Sequence, residues 1–174
     1  MEDQVFDRCM ERIRQGDKDA LKEIYLAYAG FLFHLILGVV KSRENAEDVT
    51  SEFFIRLWSI AEKYVPGNGH RAWLSQIARN MAIDFCRANK REVLCDAGEP
   101  ESAVDVTEKE AVSNLTIQEA LEKLKPSQRE IVHLKISGDL TFEEISKLLK
   151  IPMGTVTWRY REAVKTLRRC GYEA

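Results

Sequence analysis

Basic and aromatic side chains gather on one side of a helical segment near the end of the chain. On a helical wheel this side carries Trp158, Arg161, Glu162 and Lys165, opposite an apolar stripe. Residues 145–170 hold seven Lys and Arg against one Glu. A helix fits the major groove of DNA, where side chains reach base edges and basic groups neutralise phosphates. A solvated face is the alternative, but an outward Trp is unusual there.

The same helix offers chemically specific contacts to duplex DNA. Thr155 and Thr157 lie at its predicted N-terminus, where hydroxyl and backbone N–H groups bind phosphates. Arg161 matches the two acceptors on a guanine edge, and Glu162 matches the amino group of cytosine. These four residues therefore predict a sequence-reading surface.

A second polar stripe follows the helix predicted over residues 70–90. Gln76, Asn80, Arg87 and Arg91 recur at steps of four, seven and four residues. Amide and guanidinium groups on one stripe suit base edges and phosphates together. The stripe predicts a second nucleic-acid contact.

Aromatic residues flank a Gly-rich break before this helix. Tyr64, His70 and Trp73 surround the break at 66–69. Aromatic rings beside a basic helix stack on unpaired bases, each worth about 1–3 kcal/mol. For Trp73, a half-buried packing role is the alternative.

A third stripe, on the helix predicted over 46–61, is acidic and polar. Asp48, Ser51, Glu52 and Ile55 follow the i, i+3, i+4, i+7 spacing. The two interpretations are a protein-docking face and a solvated face. Composition alone favours the solvated face, with Glu52 paired to a basic residue one turn later for a few tenths of a kcal/mol.

No constellation in the sequence predicts catalysis. The four Cys and three His lack zinc spacing, and we find no metal-ligand set, nucleophile–base pair or phosphate loop. We therefore expect no enzyme activity, no metal and no cofactor. Free thiols and a polar N-terminus without a signal-peptide pattern favour a reduced, cytoplasmic protein.

Helical patterns position these side chains, and no strand period is visible. We predict an all-α fold, with helices beginning near Ala20, near Ala46 and at His70, then over 115–124 and 127–136. Asp17 or Asp19 is the candidate cap of the first helix, and Ser42, with Asn45 as a rival, that of the second. Thr141 and Glu144 form a capping-box pattern before a short helix, and a tight turn at 150–153 leads to a longer one. A short helix, a tight turn and a long helix are typical of a helix-turn-helix.

One apolar stretch requires a membrane test. Residues 24–40 carry no formal charge over 17 positions, which is the short limit for a membrane span. Two Tyr, two Gly and His34 interrupt it. We favour a buried core helix and expect no membrane insertion.

Charge divides the 174 residues into three parts. The net charge is +1 over residues 1–91, −6 over 92–113 and +3 over 114–174. The middle part contains Gly, Pro and isolated aliphatic residues without a period. It predicts an acidic linker between two small helical domains.

Three motifs in this order resemble the extracytoplasmic-function (ECF) sigma factors of bacterial RNA polymerase. The resemblance covers nearly the whole chain and rests on the segments AEDVTSEFFIRLW (46–58), RAWLSQIARNMAIDFCR (71–87) and LTFEEISKLLKIPMGTVTWRYREA (140–163). It implies a transcription initiation factor that binds core RNA polymerase, recognises the −10 and −35 promoter elements and assists melting. It also implies an anti-sigma factor as a partner.

The resemblance assigns a role to each segment. It implies polymerase and −10 binding within residues 1–91, a linker over 92–113 and −35 recognition within 114–174. The implied polymerase-binding residues are Asp48, Val49, Ser51, Glu52, Ile55 and Arg56. The implied residues for the melted −10 strand are Tyr64, Asn68, His70, Arg71, Trp73, Gln76, Asn80, Arg87 and Arg91. Those for the −35 duplex are Thr155, Thr157, Trp158, Arg159, Arg161, Glu162 and Lys165.

Four positions depart from the pattern of the family. Ser51 stands where Gln is usual, and Lys150 stands where the turn usually has Gly. Trp158 and Glu162 replace commoner small and basic residues, which implies −35 preferences of this chain's own. Lys150 is expected to cost roughly 1–2 kcal/mol if its backbone is left-handed.

Two other classes of protein remain as alternatives. A stand-alone helix-turn-helix regulator requires tight duplex binding without polymerase. A nucleic-acid-processing enzyme requires clustered carboxylates for a metal, and the carboxylates of this sequence are dispersed.

Overall fold

Four α-helices and a 3₁₀ turn make up the described part of the first compact unit, Met1–Pro100. The computed structural model describes residues 1–67, 69–93, 121 and 123–169. The elements of this unit are α1 (Asp3–Arg14), α2 (Lys18–Val40), α3 (Arg43–Ser59), the 3₁₀ turn (Ala61–Lys63) and α4 (His70–Val93).

The second unit, Glu101–Ala174, contains a three-helix arrangement in its described part. Its helices are α5 (Pro126–Ile136), α6 (Phe142–Leu149) and α7 (Met153–Arg169). All regular elements in the described ranges of both units are helices, which confirms the all-α prediction. The helix predicted over 115–124 and the linker predicted over 92–113 fall almost entirely outside the described residues.

Side-chain caps fix where α2 and α3 begin. Asp17 caps α2 by accepting a hydrogen bond from the backbone N–H of Asp19 at 2.9 Å. Ser42 caps α3 by accepting from the N–H of Asn45 at 3.4 Å. Of the two candidate caps before each helix, the structure uses Asp17 and Ser42, so α2 begins at Lys18 and α3 at Arg43.

α2 is the central helix of the first unit and packs against α1, α3 and α4. In the described part, this helix is long and apolar enough to cross a membrane by length and composition. Ile24, Leu32 and Ile36 are nevertheless fully buried among the other helices of the unit. This packing favours the core-helix interpretation.

The core stripe predicted on α3 is observed. Val49, Phe53 and Leu57 of α3 are each no more than 2% exposed, as is Ala61 in the 3₁₀ turn that follows. The stripe fixes the rotation of α3, so its acidic and polar side faces outward.

α1 was not predicted from the sequence. The apolar side chains of Phe6, Cys9, Met10 and Ile13 follow a helical spacing and are no more than 3% exposed. The spacing of these four apolar residues was the only sequence signal for α1, and the many polar residues between them made it hard to recognise. Burial of these four side chains attaches α1 to the first unit.

The helix-turn-helix of the second unit has the predicted local geometry. Thr141 Oγ1 accepts from the N–H of Glu144 at 3.2 Å, and the Glu144 carboxylate accepts from the N–H of Thr141 at 2.7 Å. Lys150 ends α6 with a left-handed backbone, φ 55° and ψ 43°. Val156 and Ala163 of α7 are fully buried, so the opposite side of α7 faces solvent.

Candidate functional site

The outward side of α3 carries unpaired charges around one apolar residue. Asp48, Glu52 and Arg56 are exposed, and their side chains make no hydrogen bond or ion pair with the described residues. The Glu52–Arg56 pair considered from the sequence is therefore not formed. Ile55 lies among these charges and is 72% exposed. Unpaired charges around an exposed aliphatic side chain suit a protein-docking face.

Two members of the α3 set offer less to a partner, one because it is buried and one because its hydroxyl is already bonded. Val49 is 2% exposed and packs in the core, so direct contact with a partner is not available to its side chain. Its inclusion among the contact residues is corrected to a packing role. Ser51 is exposed, but its hydroxyl donates to the carbonyl of Glu47 at 2.9 Å, within the helix.

The polar stripe of α4 brings two amide side chains together. Gln76 Nε2 donates to Asn80 Oδ1 at 2.9 Å, which leaves the amide nitrogen of Asn80 as an outward donor. Trp73 is half-buried one turn before Gln76, and exposed Arg87 lies 3.5 Å from Asp84. Trp73, Gln76, Asn80 and Arg87 therefore share one side of α4.

The other residues predicted to bind the melted −10 strand do not lie on this side of α4 or are not described. Arg71 is half-buried, and its guanidinium donates to the carbonyl oxygen of Met1 at 3.3 Å. Asn68 and the side chain of Arg91 lie outside the described residues. The structure therefore brings together the members of this set that lie on the middle of α4.

Tyr64 and His70 are core residues of the first unit. They are 4% and 1% exposed, so neither ring is available to stack on a base. Their inclusion among the DNA contacts is corrected: the fold uses both rings internally. Tyr64 still contacts Trp73, with ring centroids 5.0 Å apart, so it supports the aromatic side chain nearest the α4 stripe.

α1 supplies the polar partners of these two buried rings. The Tyr64 hydroxyl donates to Asp7 Oδ1 at 2.5 Å, and His70 Nδ1 lies 2.5 Å from Asp3 Oδ1. The hydroxyl of Tyr28 bonds the other ring nitrogen of His70. Since a carboxylate only accepts, Nδ1 carries the proton and Nε2 accepts from Tyr28.

Burial sets the protonation of both rings. It lowers the pKa of His70 despite the opposing effect of Asp3, so the neutral ring is favoured. Burial, followed by the hydrogen bond to Asp7, raises the pKa of Tyr64. Tyr64 therefore stays a hydrogen-bond donor at neutral pH.

The outward side of α7 presents Trp158 and Arg161. Trp158 is 61% exposed, as the helical spacing predicts, and Met153 at the start of the helix is 54% exposed. Arg161 is exposed, and its side chain makes no hydrogen bond or ion pair with the described residues. Arg159 is half-buried on the flank. A free guanidinium beside an indole suits reading of base edges and thymine methyl groups.

Other residues predicted to bind the −35 duplex already make hydrogen bonds or ion pairs within α7. The carboxylate of Glu162 accepts from Lys165 Nζ at 2.7 Å, and this ion pair lowers the pKa of Glu162. Thr157 Oγ1 donates to the carbonyl of Gly154 at 3.0 Å, and Thr155 is half-buried. A cytosine contact by Glu162 therefore competes with Lys165, whereas Arg161 has no such competitor.

Neither unit shows a group suited to metal binding within its described residues. No cluster of three or more His, Cys, Asp or Glu is present there. Cys9 is buried, and burial raises the pKa of its thiol, which disfavours nucleophilic chemistry at this position.

Two family models match the chain, one on each unit. Sigma-70 region 2 matches residues 24–92, and sigma-70 region 4 matches residues 120–169. The two matched segments together cover more than half of the chain. They define the class: a sigma-70 type transcription factor with one module on each side of the predicted linker.

Similar curated proteins extend the match over nearly the full length. The ECF RNA polymerase sigma factor SigK of Mycobacterium tuberculosis is 28% identical over 172 residues, covering 94% of this chain and 92% of SigK. SigW of Bacillus subtilis is 28% identical over 174 residues, covering 92% and 93%. The chain belongs to the ECF sigma factors, transcription initiation factors that bind RNA polymerase and direct it to promoters.

Two solved structures have a similar fold. The sigma factor RpoE of Bartonella quintana, in complex with the anti-sigma factor NepR, gives a TM-score of 0.70 at 22% identity, covering 88% of this chain and 97% of RpoE. CnrH, in complex with the cytosolic domain of CnrY, gives 0.61 at 18% identity, covering 95% and 96%.

Proposed function

We propose that the three exposed faces divide the work of promoter recognition. The α3 face binds core RNA polymerase, the α4 stripe binds the non-template strand of the melted −10 element, and the α7 face reads the −35 duplex. The corresponding domains are residues 1–91 and 114–174, joined by the acidic linker 92–113. The observation that carries this division is that each outward side presents a polar group that no described residue engages: the Glu52 carboxylate on α3, the Asn80 amide nitrogen on α4 and the Arg161 guanidinium on α7.

The charges on α3 support its role as the polymerase-binding face. Asp48, Glu52 and Arg56 are unpaired in the described part of the chain and surround exposed Ile55. A partner that supplies complementary charges and an apolar contact satisfies this surface without displacing an internal bond. Ser51, whose hydroxyl bonds its own helix, contributes less.

The α4 stripe suits an unpaired strand better than a duplex. The hydrogen bond from Gln76 holds Asn80 so that its amide nitrogen is presented outward as a donor to a base acceptor. Trp73 offers part of an indole face for stacking, and Arg87 offers charge to a phosphate. Binding energy gained from extruded bases favours the melted state over the paired state.

The α7 face suits the major groove. Arg161 matches a guanine edge, Trp158 offers apolar contact to a thymine methyl, and Lys165 and Arg159 lie near phosphates. Glu162 stays with Lys165, so we assign it a secondary role in reading bases.

The chain itself performs no chemistry in this account. Polymerase synthesises RNA, and the sigma factor selects the start and assists opening without a metal or cofactor of its own. The protein acts in the cytoplasm, where its polymerase operates. An anti-sigma factor is the expected inhibitory partner, because the structurally similar RpoE and CnrH are each held by a second protein, NepR and CnrY.

The test separates the two DNA-binding faces. Holoenzyme is assembled from bacterial core RNA polymerase and the full chain, and its promoter is selected from a randomised DNA library. We expect Asn80→Ala to weaken binding of the labelled −10 non-template strand and to slow open-complex formation, with −35 duplex binding retained. Arg161→Ala is expected to weaken −35 binding by about 1–3 kcal/mol and to leave −10 strand binding unchanged.

Asn89→Ala is the matched control, since Asn89 lies half-buried on the opposite side of α4. Open-complex formation by Asn80→Ala at the wild-type rate would remove the role of Asn80. Equal losses from both variants on both DNA probes would contradict the division into two faces.

A further inference from the structure

α1 lies before the segment matched by the region 2 model, which begins at residue 24. None of the three proposed surfaces includes it. Yet α1 contacts the residues on each side of the connection between the 3₁₀ turn and α4. The buried ring of Phe6 stacks on His70 at 4.4 Å between centroids and meets Tyr64 edge-on at 5.2 Å.

Polar bonds from α1 fix the first end of this connection. Asp7 accepts a hydrogen bond from the Tyr64 hydroxyl at 2.5 Å. The guanidinium of Arg14 donates to the backbone carbonyls of Tyr64 at 2.6 Å and Ala61 at 3.1 Å. Tyr64 is therefore held through its ring, its hydroxyl and its carbonyl, all by side chains of one helix.

The other end is held at His70, the first residue of α4. Its ring lies between Phe6 and the Tyr28 hydroxyl, and its Nδ1 donates to Asp3. A ring that is 1% exposed and bonded at both nitrogens has little freedom to rotate. The start of α4 is thereby fixed relative to α1.

The consequence falls on Trp73. Its indole lies against the Tyr64 ring, with 5.0 Å between centroids, and it shares the outward side of α4 with Gln76 and Asn80. Tyr64 therefore supports the indole from within the core, and Gln76 follows Trp73 by about one turn on the same side of α4.

We propose that α1 positions Trp73 for stacking on an unpaired base, with Asp7 acting through Tyr64. This inference rests on the proposed −10 role of the α4 stripe. Asp7 is a positioning residue that does not touch DNA: it holds the Tyr64 hydroxyl, Tyr64 holds the indole, and the indole meets the base.

The experiment is a double-mutant cycle on Asp7 and Tyr64 in the holoenzyme. Tyr64→Phe removes one hydroxyl and keeps the ring, so the core stays filled. Asp7→Ala removes the acceptor. Each variant is expected to weaken binding of the labelled −10 non-template strand at least about threefold, a fraction of the stacking contribution of one base. The double variant is expected to match the stronger single variant, because both substitutions break the same bond.

A merely structural role would not give this pattern. Core polymerase affinity and −35 duplex binding are measured for each variant, at a temperature where circular dichroism shows the chain folded, and both are expected to stay at wild-type values. Glu2→Gln is the charge-matched control, because this substitution also removes one negative charge near the start of α1. Glu2 is exposed and its side chain makes no cap hydrogen bond. Strand binding by Glu2→Gln is expected to be unchanged.

Three results would overturn the inference: unchanged strand binding in Tyr64→Phe, additive losses in the double variant, or equal losses of strand, duplex and polymerase binding. Asn80→Ala is measured beside these variants to separate the two proposals. If Asn80→Ala weakens strand binding and Tyr64→Phe does not, the positioning role of α1 fails and the −10 role of α4 stands. If Asn80→Ala has no effect, the −10 role itself fails.

Discussion

His70 begins α4, the helix proposed to bind DNA, and Tyr64 lies shortly before it, but both side chains are buried in the interior of the fold. Residue type and nearness to a basic helix predicted contacts with DNA, whereas burial and partners from α1 assign both rings to the core. The sequence signal for this use was weak, because Asp3 and Asp7 lie more than fifty residues away and look like surface charges. Trp158 and Arg161 were predicted correctly as exposed, because a helical wheel depends only on local spacing.

Protonation of the buried His70 ring is expected to make the stability of the protein depend on pH. Burial lowers its folded-state pKa below the ordinary value of about 6.5, so between the two values the unfolded chain binds more protons. The free energy of unfolding therefore falls as pH drops below about 6.5. The titratable and charged groups around the ring are Asp3 from α1, Tyr28 from α2, Arg71 from α4 and the N-terminal amine of Met1.

Urea unfolding of the wild-type protein and of His70→Gln, each at pH 7.5 and pH 5.5, measures how the free energy of unfolding depends on pH. The pKa of His34 is also lowered by burial, so only the difference between the two proteins reports His70. We expect the free energy of unfolding of the wild-type protein to fall more between pH 7.5 and pH 5.5 than that of His70→Gln. The same loss in both would contradict the assignment of a neutral, buried His70.

At the scale of elements, periodicity and capping chemistry located most of the described helices. The capping box at Thr141, the break before His70 and the core stripe of α3 were predicted from a few residues each. α1 was missed because its four buried apolar residues lie among many charged ones. At the starts of α2 and α3 the sequence left two candidate caps each, because two cap-forming residues stand close together, and the structure uses Asp17 and Ser42. The partners of α1 depend on tertiary packing, which no local pattern encodes.

The turn between α6 and α7 contains a strained residue, Lys150, whose replacement is expected to raise the stability of the helix-turn-helix. Its left-handed backbone, φ 55°, strains a side chain with a Cβ, whereas Gly adopts this conformation freely. We expect Lys150→Gly to stabilise the helix-turn-helix by up to about 1 kcal/mol, part of the gain being offset by the greater freedom of Gly in the unfolded chain. Amide hydrogen exchange in α6 and α7, the two helices that flank Lys150, measures the local free energy of opening.

Lys147→Gly is the matched control, since Lys147 lies inside α6 and Gly there is expected to cost about 1 kcal/mol. A loss of protection in Lys150→Gly would contradict the account of strain at this turn.

At the scale of the whole molecule, the two units must reach DNA elements that lie far apart. Elements about one and a half to two helical turns apart are separated by roughly 50–70 Å. The predicted 22-residue linker spans at most about 75 Å when extended, against about 26 Å as a flexible coil. Simultaneous binding of both elements therefore requires a larger partner to hold the linker extended, and polymerase is suited to that role.

One measurement tests the central claim most directly. Bacterial core RNA polymerase is incubated with a randomised promoter library, with and without the purified full chain, and the 5′ ends of the transcripts are sequenced. We expect the chain to concentrate initiation downstream of two short motifs at a fixed spacing, and Glu52→Lys to reduce this effect while Glu62→Lys, the same charge change on the exposed 3₁₀ turn, preserves it. Start sites identical to those of core enzyme alone, together with no binding of the chain to core, would contradict the account.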